Sequence, residues 1–219
     1  MTSQESDGRR LRGERSRQAV LERAMNIASI EGLDGLSIGR LATEVDSSKS
    51  GVAALFGSKE KLQLATVEAA AEVFVAEVVA PAREHPRGLA RVWAYSIAWL
   101  RYSERRVFAG ACFFRAVAAD FDSKPGAVRE LIVGSIRTSD SYFQHALQTA
   151  IDNGELGAET DAAQLRFEIS GLYFAANDES VLFDDATVYD RALRGIRSRL
   201  IAAGADASAL PVPDSPAEP

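Results

Sequence analysis

One cysteine, Cys112, stands among 219 residues, so no intrachain disulfide can form. That usage fits a reducing, cytoplasmic setting. Histidine is nearly as scarce: His85 and His145 are the only two, and no Cys/His cluster has the spacing of a zinc site. No metal or cofactor is expected. No apolar run approaches the roughly 20 residues needed to cross a bilayer. The opening residues, MTSQESDGRRLRGER, lack the apolar segment of a secretory signal. A phosphate-cradling glycine loop, spaced catalytic carboxylates, strand-like alternation and a 20–50-residue repeat are all missing. Catalysis with Cys112 as nucleophile and His145 as base is disfavoured, because cysteine in an apolar run is ordinarily inert core. The chain reads as a non-enzyme without a membrane partner.

What is present is helical pattern and a lopsided charge. Hydrophobic residues make up 47% of the chain, enough for a substantial core. The net charge is −6, yet residues 1–61 carry ten Lys/Arg against nine Asp/Glu. Arg9, Arg10, Arg12, Arg15, Arg17 and Arg23 face only Glu14 and Glu22 between them. A positive end on an acidic body implies a polyanionic partner for that end alone.

The apolar spacing predicts an all-α fold. Val20, Leu21, Ala24, Ile27 and Ala28 share one helix face, with Gly32 as the stop. Ser37 is placed to cap a short helix carrying Ile38, Leu41 and Ala42. Ser48 can cap a second, from Lys49 to about Phe56, and Ser58 a third, from Lys59 until Pro81 ends it. Longer helices follow, one from about 127 to 153 and others near 161–182 and 187–203. The expected organisation is a disordered basic arm (1–15), a helix-turn-helix DNA-binding domain (16–62), a larger helical ligand-binding and dimerisation domain (63–204) and a disordered Pro-rich tail (205–219).

Residues 37–56 have helix-turn-helix proportions. A recognition helix needs small or polar residues at its exposed N-terminus and an apolar inner face. Ser47, Ser48, Lys49, Ser50 and Gly51 meet the first demand; Val52, Leu55 and Phe56 meet the second. Lysine in a first helical turn opposes the helix dipole. Its repetition at Lys49 and Lys59 makes sense if a phosphate sits against both helix starts. Arg17, Ser37 and Lys59 complete the expected contact set with duplex DNA.

Residues 16–65 also resemble the DNA-binding domain of TetR-type transcriptional regulators, through Ala24…Ile27, Gly32, Leu36-Ser37, Leu41-Ala42, Ser48-Lys49 and Phe56-Gly57-Ser58-Lys59-Glu60-Lys61-Leu62. A second stretch of likeness covers Gly110-Ala111-Cys112-Phe113-Phe114, residues 120–126 and Gly154-Glu155-Leu156. The sequence departs from the family where Asp46 replaces a turn glycine, Ala53 an aromatic and Leu55 a histidine. The resemblance implies a homodimer whose last two helices pair as a four-helix bundle, with Phe167, Leu172, Ala176, Val188, Leu193, Ile196 and Leu200 at the interface. It further implies an inducer pocket among the middle helices, for which Trp93, Ser96, Trp99, Cys112, Phe113, Arg115, Tyr142, His145, Tyr173 and Asn177 are the candidates. The implied function is a ligand-responsive repressor of a pseudo-palindromic operator, released by a small, largely apolar molecule, with the helix from Lys59 to Ala80 as the lever. A thiol redox sensor acting through Cys112 and a nonspecific DNA-binding scaffold are the alternatives.

Overall fold

The structure is a computed structural model that describes residues 3–212, and its described residues form helices and turns only. Ten α-helices follow in order: α1 (Ser3–Glu31), α2 (Ile38–Glu44), α3 (Lys49–Phe56), α4 (Lys59–Phe74), α5 (Ala80–Arg83), α6 (Leu89–Glu104), α7 (Phe113–Phe121), α8 (Ala127–Asp152), α9 (Ala162–Leu182) and α10 (Thr187–Ala202). No described helix is long and apolar enough to cross a membrane.

Chain contacts define two compact units. The first runs to Val73 and takes in Phe108–Ile136; the second comprises Phe74–Val107 and the chain from Arg137 onward. The expected boundary at residue 62 therefore falls elsewhere, and a distant segment joins the N-terminal unit. Polar and steric complementarity explains that association. Ala109 N–H donates to Asn26 Oδ1 and Gly110 N–H to Ser29 Oγ, both at 3.0 Å. A Cβ at Gly110 would lie 1.9 Å from the Ser29 carbonyl oxygen, so only glycine permits this approach. α7 packs on α1, with Phe113 and Val117 fully buried.

Three expectations need correction. Residues 3–15 belong to α1 rather than to a disordered arm. Pro81 does not end the helix that starts at Lys59: α4 passes through a π-helical turn, Val75–Val79, and resumes as α5. A widened turn ahead of the proline relieves the clash of its ring with the carbonyl four residues back, and no backbone donor is wasted there. Finally, residues 205–212 are ordered. Leu210 is fully buried, and the Pro211 carbonyl accepts a hydrogen bond from Trp93 Nε1 at 2.8 Å. Residues 1–2 and 213–219 of the expected arm and tail lie outside the described residues.

In the second unit α10 lies along α9, and both pack on α6. Leu172 touches the position where a Cβ on Gly195 would stand, so that glycine sets the close α9–α10 approach.

Candidate nucleic-acid interface

The helix-turn-helix is built by its caps. Ser37 Oγ accepts from Arg40 N–H at 3.1 Å at the start of α2, and Ser48 Oγ from Gly51 N–H at 3.0 Å at the start of α3. Ser58 Oγ does the same for Lys61 N–H at 3.1 Å. Between α2 and α3 the chain turns at Asp46, whose φ is +48°. Ser47 N–H reaches back to the Ala42 carbonyl at 2.8 Å and Asp46 N–H to Thr43 at 3.4 Å, a Schellman closure of α2. Aspartate is one of the few non-glycine residues that enters this backbone region at modest cost. The turn therefore forms although glycine is absent from it.

α3 buries Val52 and Phe56 and leaves Ser47, Ser48, Lys49 and Ser50 exposed. Leu55, expected on the inner face, is half-buried. Gly51 is half-exposed; a Cβ there would press on Ser48 Oγ at 3.0 Å and Ser47 Oγ at 3.3 Å, so its smallness keeps the cap intact. The result is a helix start that presents hydroxyls, unpaired amide N–H groups and one lysine to solvent. Such an end can donate hydrogen bonds to a phosphate oxygen.

Two residues expected to face DNA have partners inside the chain. Arg17 Nη1 donates to the Leu55 carbonyl at 3.3 Å, and its guanidinium lies 4.7 Å from the centre of the Phe56 ring. It thus closes the C-terminal end of α3, where carbonyls lack helical donors. Lys59 Nζ donates to the Asp34 carbonyl at 2.8 Å. The turn Leu33–Gly35 is clamped twice more, by Gln63 Nε2 on the Leu33 carbonyl at 3.0 Å and by Lys124 Nζ on the Asp34 carboxylate at 2.7 Å. The Lys124 hydrogen bond holds the Asp34 carboxyl below its ordinary pKa, and the carboxylate in turn raises that of Lys124. Arg40 grips Glu31 with two hydrogen bonds of 2.5 and 2.7 Å, which lowers the Glu31 pKa. Asp34 and Lys124 lie 90 residues apart, so no local signal paired them, and no motif marked Glu31 as the partner of Arg40.

The residues expected around an inducer are divided between the units. Cys112, Phe113 and Arg115 stand in the first unit, Cys112 buried and Arg115 exposed. Trp93, Ser96, Trp99, Tyr173 and Asn177 are buried together in the second. Trp99 and Tyr173 stack with ring centres 4.6 Å apart, and Tyr173 donates to Ser96 Oγ at 2.9 Å. Burial pushes the Tyr173 hydroxyl pKa well up, so it stays a donor. Asn177 Oδ1 accepts from Ser103 Oγ at 3.0 Å, and Ser103 and Ser180 flank the Tyr189 hydroxyl at 2.9 and 2.8 Å. Ser103, Ser180 and Tyr189 were not anticipated; hydroxyls at helical spacing look like ordinary small core residues. Tyr142 and His145 stand apart from this network, beside a cleft on the same unit.

The expected dimer residues separate by burial. Ala176, Val188, Ile196 and Leu200 are core residues of the protomer, almost wholly shielded within one chain, which corrects their placement at an interface. Leu172 and Leu193 are half-buried. Phe167 is 66% exposed. It heads an apolar stripe that the sequence reading missed: Phe174 and Val181 follow at steps of seven, with Leu182 and Phe183 exposed at the end. No group of three or more His, Cys, Asp or Glu among the described residues could hold a metal ion.

Residues 88–196 match the family model of the tetracyclin repressor-like C-terminal domain. A TetR transcriptional regulator from Chloroflexus aurantiacus superposes with a TM-score of 0.78 at 24% identity, over 84% of this chain and 93% of that one. SCO4454, a TetR-family regulator from Streptomyces coelicolor, gives 0.73 at 21% identity, over 86% and 95%. AibR, solved with isovaleryl coenzyme A and operator DNA, gives 0.63 at 17% identity, over 74% and 86%. At these identities the structural likeness is one of fold. No curated protein matches the chain by sequence.

Proposed function

We propose, from the chain's membership of the TetR family of transcriptional regulators, that it is a homodimeric repressor whose two α3 helices enter successive major grooves of a pseudo-palindromic operator. The observation that carries this reading is the start of α3. Its cap and turn are complete without DNA, and Ser47, Ser48, Lys49 and Ser50 all remain exposed. Ser37, at the start of α2, is exposed as well and supports a flanking phosphate contact. Arg17 and Lys59 are assigned to shaping the domain, because each is spent on a backbone carbonyl.

The stripe of Phe167, Phe174, Val181, Leu182 and Phe183 supports self-association. Apolar side chains at a seven-residue step form a helix seam that a symmetry-related helix can cover. A dimer places two recognition helices on one duplex, which a single short helix cannot replace.

Release is proposed to follow binding of a small, largely apolar molecule to the second unit. Of the fold relatives, AibR was solved with both an acyl-coenzyme A and operator DNA. The buried hydroxyls of Ser96, Ser103, Tyr173 and Tyr189 satisfy one another in this structure. An entering ligand would exchange those partners and favour a conformer with badly spaced recognition helices. The thiol-sensor reading is disfavoured by the 3% exposure of Cys112. A nonspecific scaffold is disfavoured by the net charge of −6.

Footprinting of the purified protein on the DNA upstream of its own gene tests the proposal. A protected pseudo-palindrome, absent from random DNA of equal length, is the expected result. Equal protection of both would overturn sequence-specific regulation.

A further inference from the structure

A cleft of about 430 Å³ opens on the second unit between the 83–91 segment and the C-terminal half of α8. Arg83, Arg87, Arg91 and His145 line it, together with Tyr142 and Thr149. No carboxylate is among its lining residues, in a chain that carries six more acidic than basic groups overall. Three guanidinium groups around one concavity repel each other unless something negative lies between them.

The chain does not supply that negative group. Arg91 donates through Nε and Nη2 to the His85 carbonyl, at 3.2 and 2.8 Å, and through Nη2 to the Arg83 carbonyl at 3.3 Å. These are neutral acceptors that fix the loop and leave the charge uncompensated. Arg83 lies over the Tyr142 ring, 5.5 Å from its centre. Arg87 is exposed and makes no hydrogen bond or ion pair among the described residues. Glu155, beside Gly88, accepts instead from the Leu89 N–H at 3.0 Å and from Asn153 at 3.2 Å. The Tyr142 hydroxyl is shielded from solvent and has no hydrogen-bond partner. An unpaired buried hydroxyl beside uncompensated arginines is a donor set awaiting an acceptor.

We infer that this cleft binds a small molecule bearing a phosphate or diphosphate group. Arg83 and Arg87 would grip its oxygens as forks, Arg91 would fix the loop that carries them, and the Tyr142 and His145 rings would cover the rest of the ligand. The volume falls in the range of small-ligand sites, about 300–1,000 Å³. It is far too narrow for a duplex. The inference rests on the cleft alone and does not depend on operator binding.

Pyrophosphate is the probe, titrated by calorimetry into the full-length protein at low ionic strength. The expected result is saturable binding that Arg83→Gln/Arg87→Gln weakens at least tenfold, while Arg194→Gln and Lys49→Ala leave it unchanged. Arg87→Gln alone, whose side chain supports nothing else, should weaken it several-fold and guards against unfolding of the double variant. Absent binding, equal binding in Arg87→Gln, or loss in Lys49→Ala would overturn the inference, the last by moving the anion to α3. Citrate binding as tightly as pyrophosphate would overturn the assignment of a phosphoryl group.

Discussion

Lys59 holds the Asp34 carbonyl from the first turn of α4, a bond of 2.8 Å between residues 25 apart in the chain. Lys49, in the same place on α3, has no such partner among the described residues. The two lysines look equivalent in sequence and are not equivalent in the fold. Lys49→Ala should weaken operator binding and reduce the slope of log affinity against log salt by about 0.9, one phosphate's worth. Lys59→Ala should leave that slope nearly unchanged and lower the thermal midpoint instead. Equal slope changes in both variants, measured by fluorescence anisotropy across salt, would return Lys59 to the DNA surface.

Asp46 is exposed two residues ahead of the α3 cap, so its negative charge lies in the neighbourhood of any phosphate bound there. Asp46→Asn keeps the tolerance for φ of +48° and removes the charge. Operator affinity should rise several-fold with little change in stability. Asp46→Val, which resists that backbone region, should destabilise the protein by about 1–2 kcal/mol. Paired melting and binding curves check both.

Arg17→Ala should cost about 1–2 kcal/mol, because it removes both the donor on the Leu55 carbonyl and the cation over Phe56. Arg17→Lys should recover little, since an ammonium lacks the planar fork. Urea denaturation of the three proteins gives the comparison.

Phe167→Asp should shift the protein toward monomer in sedimentation velocity while preserving its helical circular dichroism. Ile196→Ala should do the reverse: the side chain is fully buried in one chain, so stability falls by about 2–4 kcal/mol before association changes. A Phe167→Asp variant that stays dimeric would remove the α9 stripe from the interface.

Acid should loosen the first unit through Asp34. Its carboxyl is held below the ordinary value by Lys124, so the ion pair stabilises the fold above the unfolded pKa, near 3.9. That contribution is lost as pH falls through the lower folded value. The melting midpoint should therefore drop below about pH 4, and drop less in Asp34→Asn, which has already lost the pair.

Local signals in the sequence were faithful guides. Serine caps marked the starts of α2, α3 and α4, and Gly32 marked the end of α1 with a positive φ. Each depends on residues within one or two turns. The failures were long-range or lacked a motif. A proline is read as a stop unless a π turn absorbs it, and no residue pattern announces that turn. Burial of Ile196 and exposure of Phe167 both look like apolar helix positions until the neighbouring helices are placed. The arginines at 83, 87 and 91 are spread over nine residues and a loop, so their convergence needed the fold.

Gly110 shows how far the N-terminal unit depends on chain synthesised much later. Replacing it with alanine would drive a methyl group into the Ser29 backbone and should cost about 3 kcal/mol. The first 73 residues contain the helices proposed to face DNA, yet they lack α7, the Asn26 and Ser29 partners and the lysine that pairs with Asp34. A reader head cut at that point, or grafted onto another regulator's body, would carry a bare hydrophobic flank where Phe113 and Val117 belong. Chimaeras of this protein have to exchange two pieces of gene, not one.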